Sequence, residues 1–419
     1  MIRPMSPFHD RSTGQSSSAR IVRALAATFI ACLCAATLPS MSAQQGSTTR
    51  VFHLRETAGI RRTEYPASVT FQMPKGALSD VSHARVMNNS AEVPAQFTAR
   101  ASWDDGSVQT LDVDLNATLD PEEDRRYELQ FGPAVTSGAP PARGLSVVDE
   151  PNAIVVGNLK FSKSGSPLLA SASYRGEGMG SGTNGLTITD SNGIRLDLSK
   201  AQGASLEVVK AGPLLVELKY TATIPVDQTV SIPVELHLEM PNSKTWLKTT
   251  ATVTDRTRRL RDIAIERPYA FSGFPVLWDF GTDSGTYGVF RTAADTIVLT
   301  QTATASGPGT WKVESGPANQ RRALETSAGS RNKNAGGWGH LQDAKSVVAF
   351  GFARFGKDAG TYSIAFNGAG AATFRFAPAA PTAQHQLTLY EHFVSTPVAV
   401  GAATNPTAML TPLSVTVER

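Results

Sequence analysis

Two short segments combine aromatic and titratable side chains in a pattern that suits ligand binding and proton transfer. Trp338 and His340 follow a glycine pair in a glycine-rich segment, and Tyr390 and His392 stand two residues apart in an alternating stretch. Side chains two apart in a strand point to the same face, so Tyr390 and His392 are expected to flank one ligand ring. The alternatives are a polar loop that closes a hairpin around His340 and core packing of Tyr390 and His392.

Basic side chains that suit an acidic ligand occur in two other places. A compact basic run, Arg256–Arg261, follows the strand that ends at Val253, and Arg331 precedes the glycine-rich segment. A guanidinium group matches the geometry of a carboxylate and forms paired hydrogen bonds with it. The predicted ligand-binding arginines are Arg256, Arg258, Arg259 and Arg331. Solvated loop charge is the alternative interpretation of the run.

Together these residue types supply what β-elimination at a uronate requires. A base removes a proton, an acid protonates the leaving oxygen, and a cation neutralises the carboxylate. His340 or His392 is the predicted base, Tyr390 the predicted acid, and Trp338 the predicted platform for a sugar ring. No metal-binding motif is present in the sequence, so no metal site is predicted and the cofactor remains open.

The elements that must position these residues are predicted to be β-strands almost throughout. Short alternating runs are separated by turn residues, as in the hairpin signal Trp103–Ser107, where Asp105-Gly106 connects two strands. The segment Val135–Gly144 has no periodicity and is predicted to be a linker between two β domains. Only Ala318–Ala328 is predicted to be helical. The fold class is therefore all-β, with a large antiparallel sandwich after the linker.

The beginning of the sequence has the pattern of a secretory signal peptide over residues 1–43. Arg20 precedes the apolar stretch Ala24–Leu38, which is shorter than the ~20 residues that a membrane-spanning helix needs. Cys32 and Cys34, both cysteines of the chain, lie inside this stretch. We therefore expect an exported protein, periplasmic or extracellular, without thiols and without a membrane anchor after cleavage.

The charge balance excludes one large class of function. The sequence contains 39 Lys+Arg and 36 Asp+Glu, and residues 1–43 hold four of these arginines and one of the aspartates. The remaining chain therefore has 35 residues of each sign. A nucleic-acid-binding protein needs an excess of basic residues to displace counterions, so nucleic acid is not an expected partner.

Several segments resemble the rhamnogalacturonan exolyase-like (YetA-like) family. They are Pro74–Leu78, Trp103–Val108, Gly336–Asp343 and Leu387–Val394. In that family a small RIFT-type β-barrel precedes a β-sandwich and an α/α-toroid. The resemblance implies a RIFT-type barrel over residues 44–140, a sandwich over residues 141–419, and a polysaccharide lyase acting on an acidic glycan. The toroid has no counterpart in this sequence, and no catalytic residue of the family is carried over.

Three classes of function therefore remain open from the sequence. The first is a polysaccharide lyase, and the second is a non-catalytic glycan-binding or structural partner protein. The third is a cell-surface interaction protein without affinity for glycans. The identity of the polymer, endo or exo action and the oligomeric state are not indicated.

Overall fold

The computed structural model describes residues 47–418 except 142, 165, 167, 175–176, 182–184, 306, 333 and 396. The signal peptide predicted over residues 1–43 lies outside the described residues. The first strands are β1 (Thr48–Arg55), β2 (Arg62–Gln72), β3 (Ala84–Asn88), β4 (Ala91–Val93), β5 (Ala95–Ser102), β6 (Val108–Leu119) and β7 (Asp124–Phe131). The next are β8 (Val147–Asp149), β9 (Ala153–Val156), β10 (Leu159–Ser162), β11 (Leu169–Tyr174), β12 (Glu177–Ser181), β13 (Leu186–Asp190), β14 (Arg195–Asp197) and β15 (Gln202–Lys210).

The second half of the chain contains fifteen further strands and one short α-helix among the described residues. They are β16 (Leu215–Pro225), β17 (Ser231–Pro241), β18 (Trp246–Thr254), β19 (Leu260–Pro268), β20 (Val276–Phe280), β21 (Tyr287–Phe290), β22 (Thr296–Thr304) and β23 (Gly307–Ser315). The remainder are β24 (Arg322–Thr326), β25 (Trp338–Gln342), β26 (Val347–Phe352), β27 (Gly360–Asn367), β28 (Ala371–Pro378), β29 (Gln384–Val394), α1 (Thr404–Leu410) and β30 (Ser414–Val417). Two single-turn 3₁₀ helices lie at Val81–His83 and Leu198–Lys200.

A β-sandwich forms the larger part of the molecule. One layer has the strand order β14-β13-β19-β28-β27-β22-β23-β24, and the other has the order β15-β16-β17-β18-β29-β26-β25-β20-β21. Large apolar side chains such as Phe280, Phe350, Phe374 and Leu389 fill the space between them. We call the surface of the nine-stranded sheet that points away from this core the outer face. The prediction of an all-β fold with a large antiparallel sandwich is confirmed.

The small domain at the start of the chain consists of two sheets around a second core. The sheets have the orders β30-β1-β7-β3-β4 and β2-β6-β5, and Phe52, Phe71 and Tyr127 lie between them. The resemblance implied a RIFT-type barrel here. None of the described strand pairs joins the two sheets, so backbone hydrogen bonds do not close them into a barrel. A further sheet, β12-β11-β10-β9-β8, follows the small domain in the chain.

Buried polar contacts attach the small domain to the outer face of the sandwich. The Lys210 Nζ lies 3.0 Å from the Asp114 Oδ2, and both side chains are buried. The Gln96 Oε1 accepts hydrogen bonds of 2.9 Å from the backbone N–H groups of Leu214 and Leu215. Buried charges are stable only when paired, so these contacts hold the two parts in one arrangement.

The C-terminal segment differs from its prediction. The sequence predicted a last strand within the sandwich, but β30 pairs with β1 of the small domain, with Leu54 opposite Val415. On the way, α1 crosses the outer face, where Leu410 packs on Gly351. A four-residue strand signal contains no information about its partner, and for this reason the sequence misplaced it.

The helix prediction was also wrong. Residues 318–328, predicted to be helical, contain β24, which pairs with β23 at the edge of its sheet. Edge strands are depleted in the alternating apolar pattern by which buried strands are recognised, because their side chains remain largely exposed. Among the described residues, no helix is long and apolar enough to cross a membrane.

Candidate functional site

The strand register brings His340 and His392, two of the predicted site residues, onto the outer face of the nine-stranded sheet. Asp279, His340, Ala349, His392 and Trp246 are direct neighbours across five adjacent strands. We call these five residues the histidine row. Because side chains opposite each other in a sheet point to the same side, all five project from the outer face.

A second row runs parallel to the first, two residues along each strand. Trp338 lies opposite Gly351, which lies opposite Tyr390, followed by Lys248 and Glu239. Tyr390 and His392 therefore share a face, as the alternation of β29 predicted. We call these five residues the tyrosine row.

His340 does not lie in an open loop. His340 belongs to β25 and is 1% exposed, and its Nδ1 lies 2.8 Å from the Asp279 Oδ1. The second oxygen of Asp279 accepts a hydrogen bond of 2.8 Å from the backbone N–H of Gly401. The C-terminal segment thus covers this pair. A base must reach the substrate proton directly or through one water molecule, and His340 has no such access in this arrangement.

His392 is also largely withdrawn from solvent. Its ring packs edge-on to Trp246 with 6.2 Å between the ring centroids, and its Nδ1 is buried without a hydrogen-bond partner in the structure. Burial, with a smaller effect of the nearby Lys244 and His340, lowers the pKa of His392 to about 4. The imidazole is therefore neutral at neutral pH.

This pKa predicts a contribution to the acid sensitivity of the protein. Between pH 6.5 and about 4 the unfolded chain binds a proton at His392 that the folded chain does not bind, so the free energy of unfolding falls as the pH falls through this window. The slope contributed by one such group is at most about 1.4 kcal/mol per pH unit. Denaturant unfolding of His392→Gln and of the parent at pH 7, 5.5 and 4.5 should show a shallower decline for the variant. Equal slopes would contradict the buried, neutral state.

Tyr390 lies at a cleft between the sandwich, the small domain and the C-terminal segment. The cleft has a volume of about 220 Å³, and its main lining residues are Tyr65, Glu239, Trp246, Lys248, Tyr390 and Leu413. We call it the aromatic cleft. The Lys248 Nζ lies 2.7 Å from the Glu239 Oε1 and 6.0 Å from the centre of the Tyr390 ring.

The aromatic rings of the cleft come from distant parts of the chain. Tyr65 on β2 packs edge-on against Trp246 on β18 with 5.7 Å between ring centroids. Burial raises the pKa of Tyr65 and of Tyr390 well above the usual range, and the charge of Glu239 raises that of Tyr390 further. Both phenols therefore remain protonated and can donate a hydrogen bond to a ligand oxygen.

The basic run does not lie beside the histidines. Arg256 follows Thr254 at one end of β18, whereas Trp246, the neighbour of His392, begins the strand. Eight residues of extended chain span about 26 Å, beyond the reach of an arginine side chain. Arg259 forms an ion pair with Asp227 at 2.5 Å. The predicted single constellation of Arg256, Arg258 and Arg259 with the histidines is thus wrong, because the run and the row occupy opposite ends of the strand.

Trp338 and Arg331 are placed apart from the aromatic cleft. The indole of Trp338 packs against Gly281 and Gly336, where an added Cβ would meet it at 2.2 and 2.5 Å. Arg331 is exposed in a loop whose next residue, Asn332, accepts a hydrogen bond from the Trp311 indole. Of the predicted site residues, only Tyr390 lines the cleft.

Sequence reasoning missed four residues of the cleft: Tyr65, Glu239, Trp246 and Lys248. A signal was present for two of them, because alternation places Trp246 and Lys248 on one face of β18. No signal linked Tyr65 to this face, since it comes from another domain. Among the described residues, no group of three or more His, Cys, Asp or Glu side chains is arranged to hold a metal ion.

Comparison with known proteins defines the fold but not an activity. No protein-family model matches the chain, and no curated protein matches it. A protein in the glycosyl hydrolase family 38 from Enterococcus faecalis superposes with a TM-score of 0.53 at 12% identity, over 88% of this chain and 47% of that one. The chain thus shares the fold of part of that protein and spans about half of its length.

Two other solved structures are more distant. A GH36 alpha-galactosidase from Geobacillus stearothermophilus gives a TM-score of 0.29 at 9% identity, over 60% of this chain and 41% of that one. A putative aldose 1-epimerase from Escherichia coli K12 gives 0.31 at 8%, over 60% of this chain and 99% of that one. Neither likeness is close enough to support a conclusion. None of these three structures is described as a rhamnogalacturonan lyase, and that resemblance stays a prediction.

Proposed function

We propose that this protein is an exported carbohydrate-binding protein that holds a glycan in the aromatic cleft. The observation that carries the proposal is the arrangement of Tyr65, Trp246 and Tyr390 around one cleft beside the Lys248–Glu239 ion pair. Aromatic rings offer flat apolar surface for the faces of sugar rings, and the polar side chains can bond their hydroxyl groups. The fold shared with part of a glycosyl hydrolase family 38 protein is consistent with this class of ligand. The signal-peptide pattern of residues 1–43 supports the proposal of export.

Polysaccharide lyase activity is the finer hypothesis, and the geometry supports only part of it. Tyr390 lines the cleft and stays protonated, so its position suits the proton donor, but its raised pKa makes the phenol a weak general acid. The predicted bases fit poorly, because His340 is buried against Asp279 and His392 is largely buried with its ring edge-on to Trp246. Lys248, the cation of the cleft, is already paired with Glu239. Binding without β-elimination is therefore the function that we favour.

A polymer screen distinguishes these possibilities. The purified protein is run through affinity gels containing pectic, alginate-type or glycosaminoglycan polymers, and the same polymers are incubated with it in solution. We expect retardation on at least one gel and no ultraviolet absorbance from unsaturated uronate products. Rising absorbance would establish the lyase hypothesis instead. Absence of both signals would contradict the proposal and favour an interaction protein without affinity for glycans.

A further inference from the structure

Beyond the aromatic cleft, we propose that the outer face binds an extended acidic oligosaccharide that runs from Tyr390 along β18 to Arg256. This inference rests on the proposed function and adds the length and charge of the ligand. The surface concerned begins at the cleft and covers the exposed half of the outer face over strands β16, β17, β18 and β29. We call it the polar lane.

The polar lane consists of groups that exchange hydrogen bonds with hydroxyl-rich ligands. Its central side chains are Glu235, Thr250, Thr252, Thr254, Gln386 and Thr388. Their outward direction follows from the alternation, since the intervening residues of each strand are buried in the core. From Trp246 to Thr254 the lane extends about 26 Å. This length accommodates a chain of several sugars rather than a single one.

Two grooves continue the lane away from the cleft. The first, of about 440 Å³, is lined by Thr252, Thr254 and Gln384, among others. The second, of about 450 Å³, is lined by Thr254, Asp255 and Arg256, among others. Because Thr254 borders both, the two grooves are adjacent. The polar lane thus has Tyr390 at one end and the basic run at the other.

The composition of the lane favours a glycan over a protein partner. Protein interfaces have an apolar, often aromatic centre, whereas the outward residues of the lane beyond Tyr390 are polar apart from Pro225 and Pro233. Thr250 and Thr388 lie with their hydroxyl oxygens 3.2 Å apart, so they form a pair of neighbouring hydroxyl groups within the lane.

The charged side chains of the lane indicate that the ligand carries an acidic group at the end that lies near Arg256. Within the lane the carboxylate of Glu235 forms an ion pair with Lys219 at 2.8 Å, and its other oxygen lies 2.9 Å from the His237 Nε2. At the far end Arg256 and Arg258 are exposed, and none of the ion pairs among the described residues involves them. An exposed guanidinium group without a partner is a good site for a ligand carboxylate.

The test uses oligomers of galacturonate from two to six residues and a neutral series of the same lengths, with affinity measured by calorimetry. We expect the affinity of the parent protein to rise with the length of the acidic oligomers and more weakly with that of the neutral ones. The double variant Arg256→Ala/Arg258→Ala should weaken binding of the acidic hexamer by about tenfold, the loss of charge-assisted hydrogen bonds. The control Arg322→Ala removes an exposed arginine from the other sheet and should change nothing.

Each other outcome has a defined meaning. Equal affinity for short and long oligomers would overturn the polar lane while leaving the aromatic cleft intact. Equal gains with length in the acidic and neutral series, or an unchanged hexamer affinity in the double variant, would overturn the acidic end. Failure of every oligomer to bind would overturn the polar lane if the protein is retarded on a polymer gel, and would contradict the proposed function itself if it is retarded on none.

Discussion

Replacing Arg62 by methionine should lower the free energy of unfolding by about 3–5 kcal/mol, the usual cost of removing one partner from a buried ion pair. Arg62 is 1% exposed, and its Nε and Nη2 donate to the Glu56 Oε1 at 3.1 and 2.9 Å. The same guanidinium donates to the backbone oxygens of Ala408 at 3.0 Å and Thr411 at 2.7 Å. It therefore fastens the end of α1 to the small domain.

A matched control is available in the neighbouring residue. Arg61 is exposed and forms only an exposed ion pair with Asp120 at 3.5 Å, so Arg61→Met should change the free energy of unfolding by less than about 1 kcal/mol. Both variants are compared with the parent by denaturant unfolding. Similar midpoints for all three proteins would show that the buried contact of Arg62 contributes little.

Replacing Tyr390 by alanine should weaken glycan binding at least about tenfold, or ~1.4 kcal/mol, because buried aromatic residues at the centre of a binding site contribute most of its affinity. The Tyr390 ring lines the aromatic cleft with its centre 6.0 Å from the Lys248 Nζ, so its loss removes both a stacking surface and a hydrogen-bond donor. The measurement is the dissociation constant for the polymer that the gel screen identifies.

Two further variants separate the causes of that loss. Tyr390→Phe keeps the ring, so it should retain most of the affinity if stacking dominates and lose most of it if the phenol hydroxyl dominates. Tyr287→Ala removes a tyrosine that is 64% exposed at the edge of the same sheet and should leave binding unchanged. If Tyr390→Ala binds as tightly as the parent while it remains folded, the aromatic cleft is not the binding site.

The sequence predicted local geometry better than the arrangement of distant segments. Alternation in β29 correctly placed Tyr390 and His392 on one face, because direction within a strand depends only on the position along it. The burial of His340 could not be predicted, since it depends on the C-terminal segment that brings Gly401 over Asp279. Glycines before a histidine indicated an open loop, whereas here Gly336 makes room for the Trp338 ring and Gly337 for the Phe355 side chain.

The position of the basic run illustrates the same limit. The sequence shows that Arg256 follows β18, but it does not show that β18 pairs with β29 so that Trp246, at the opposite end, lies beside His392. Pairing register between strands that are more than a hundred residues apart depends on the whole core and not on local pattern. Tyr65 is the clearest case, because it reaches the aromatic cleft from the small domain.

The most direct test of glycan binding in the aromatic cleft is a crystal structure of the protein with an oligosaccharide from the polymer that the gel screen identifies. We predict electron density for a sugar ring in contact with Tyr390 and Trp246, within reach of Lys248 and Glu239. Density for the sugar beside Trp338 and His340, with the C-terminal segment displaced, would contradict this account and restore the histidines as the centre of the site.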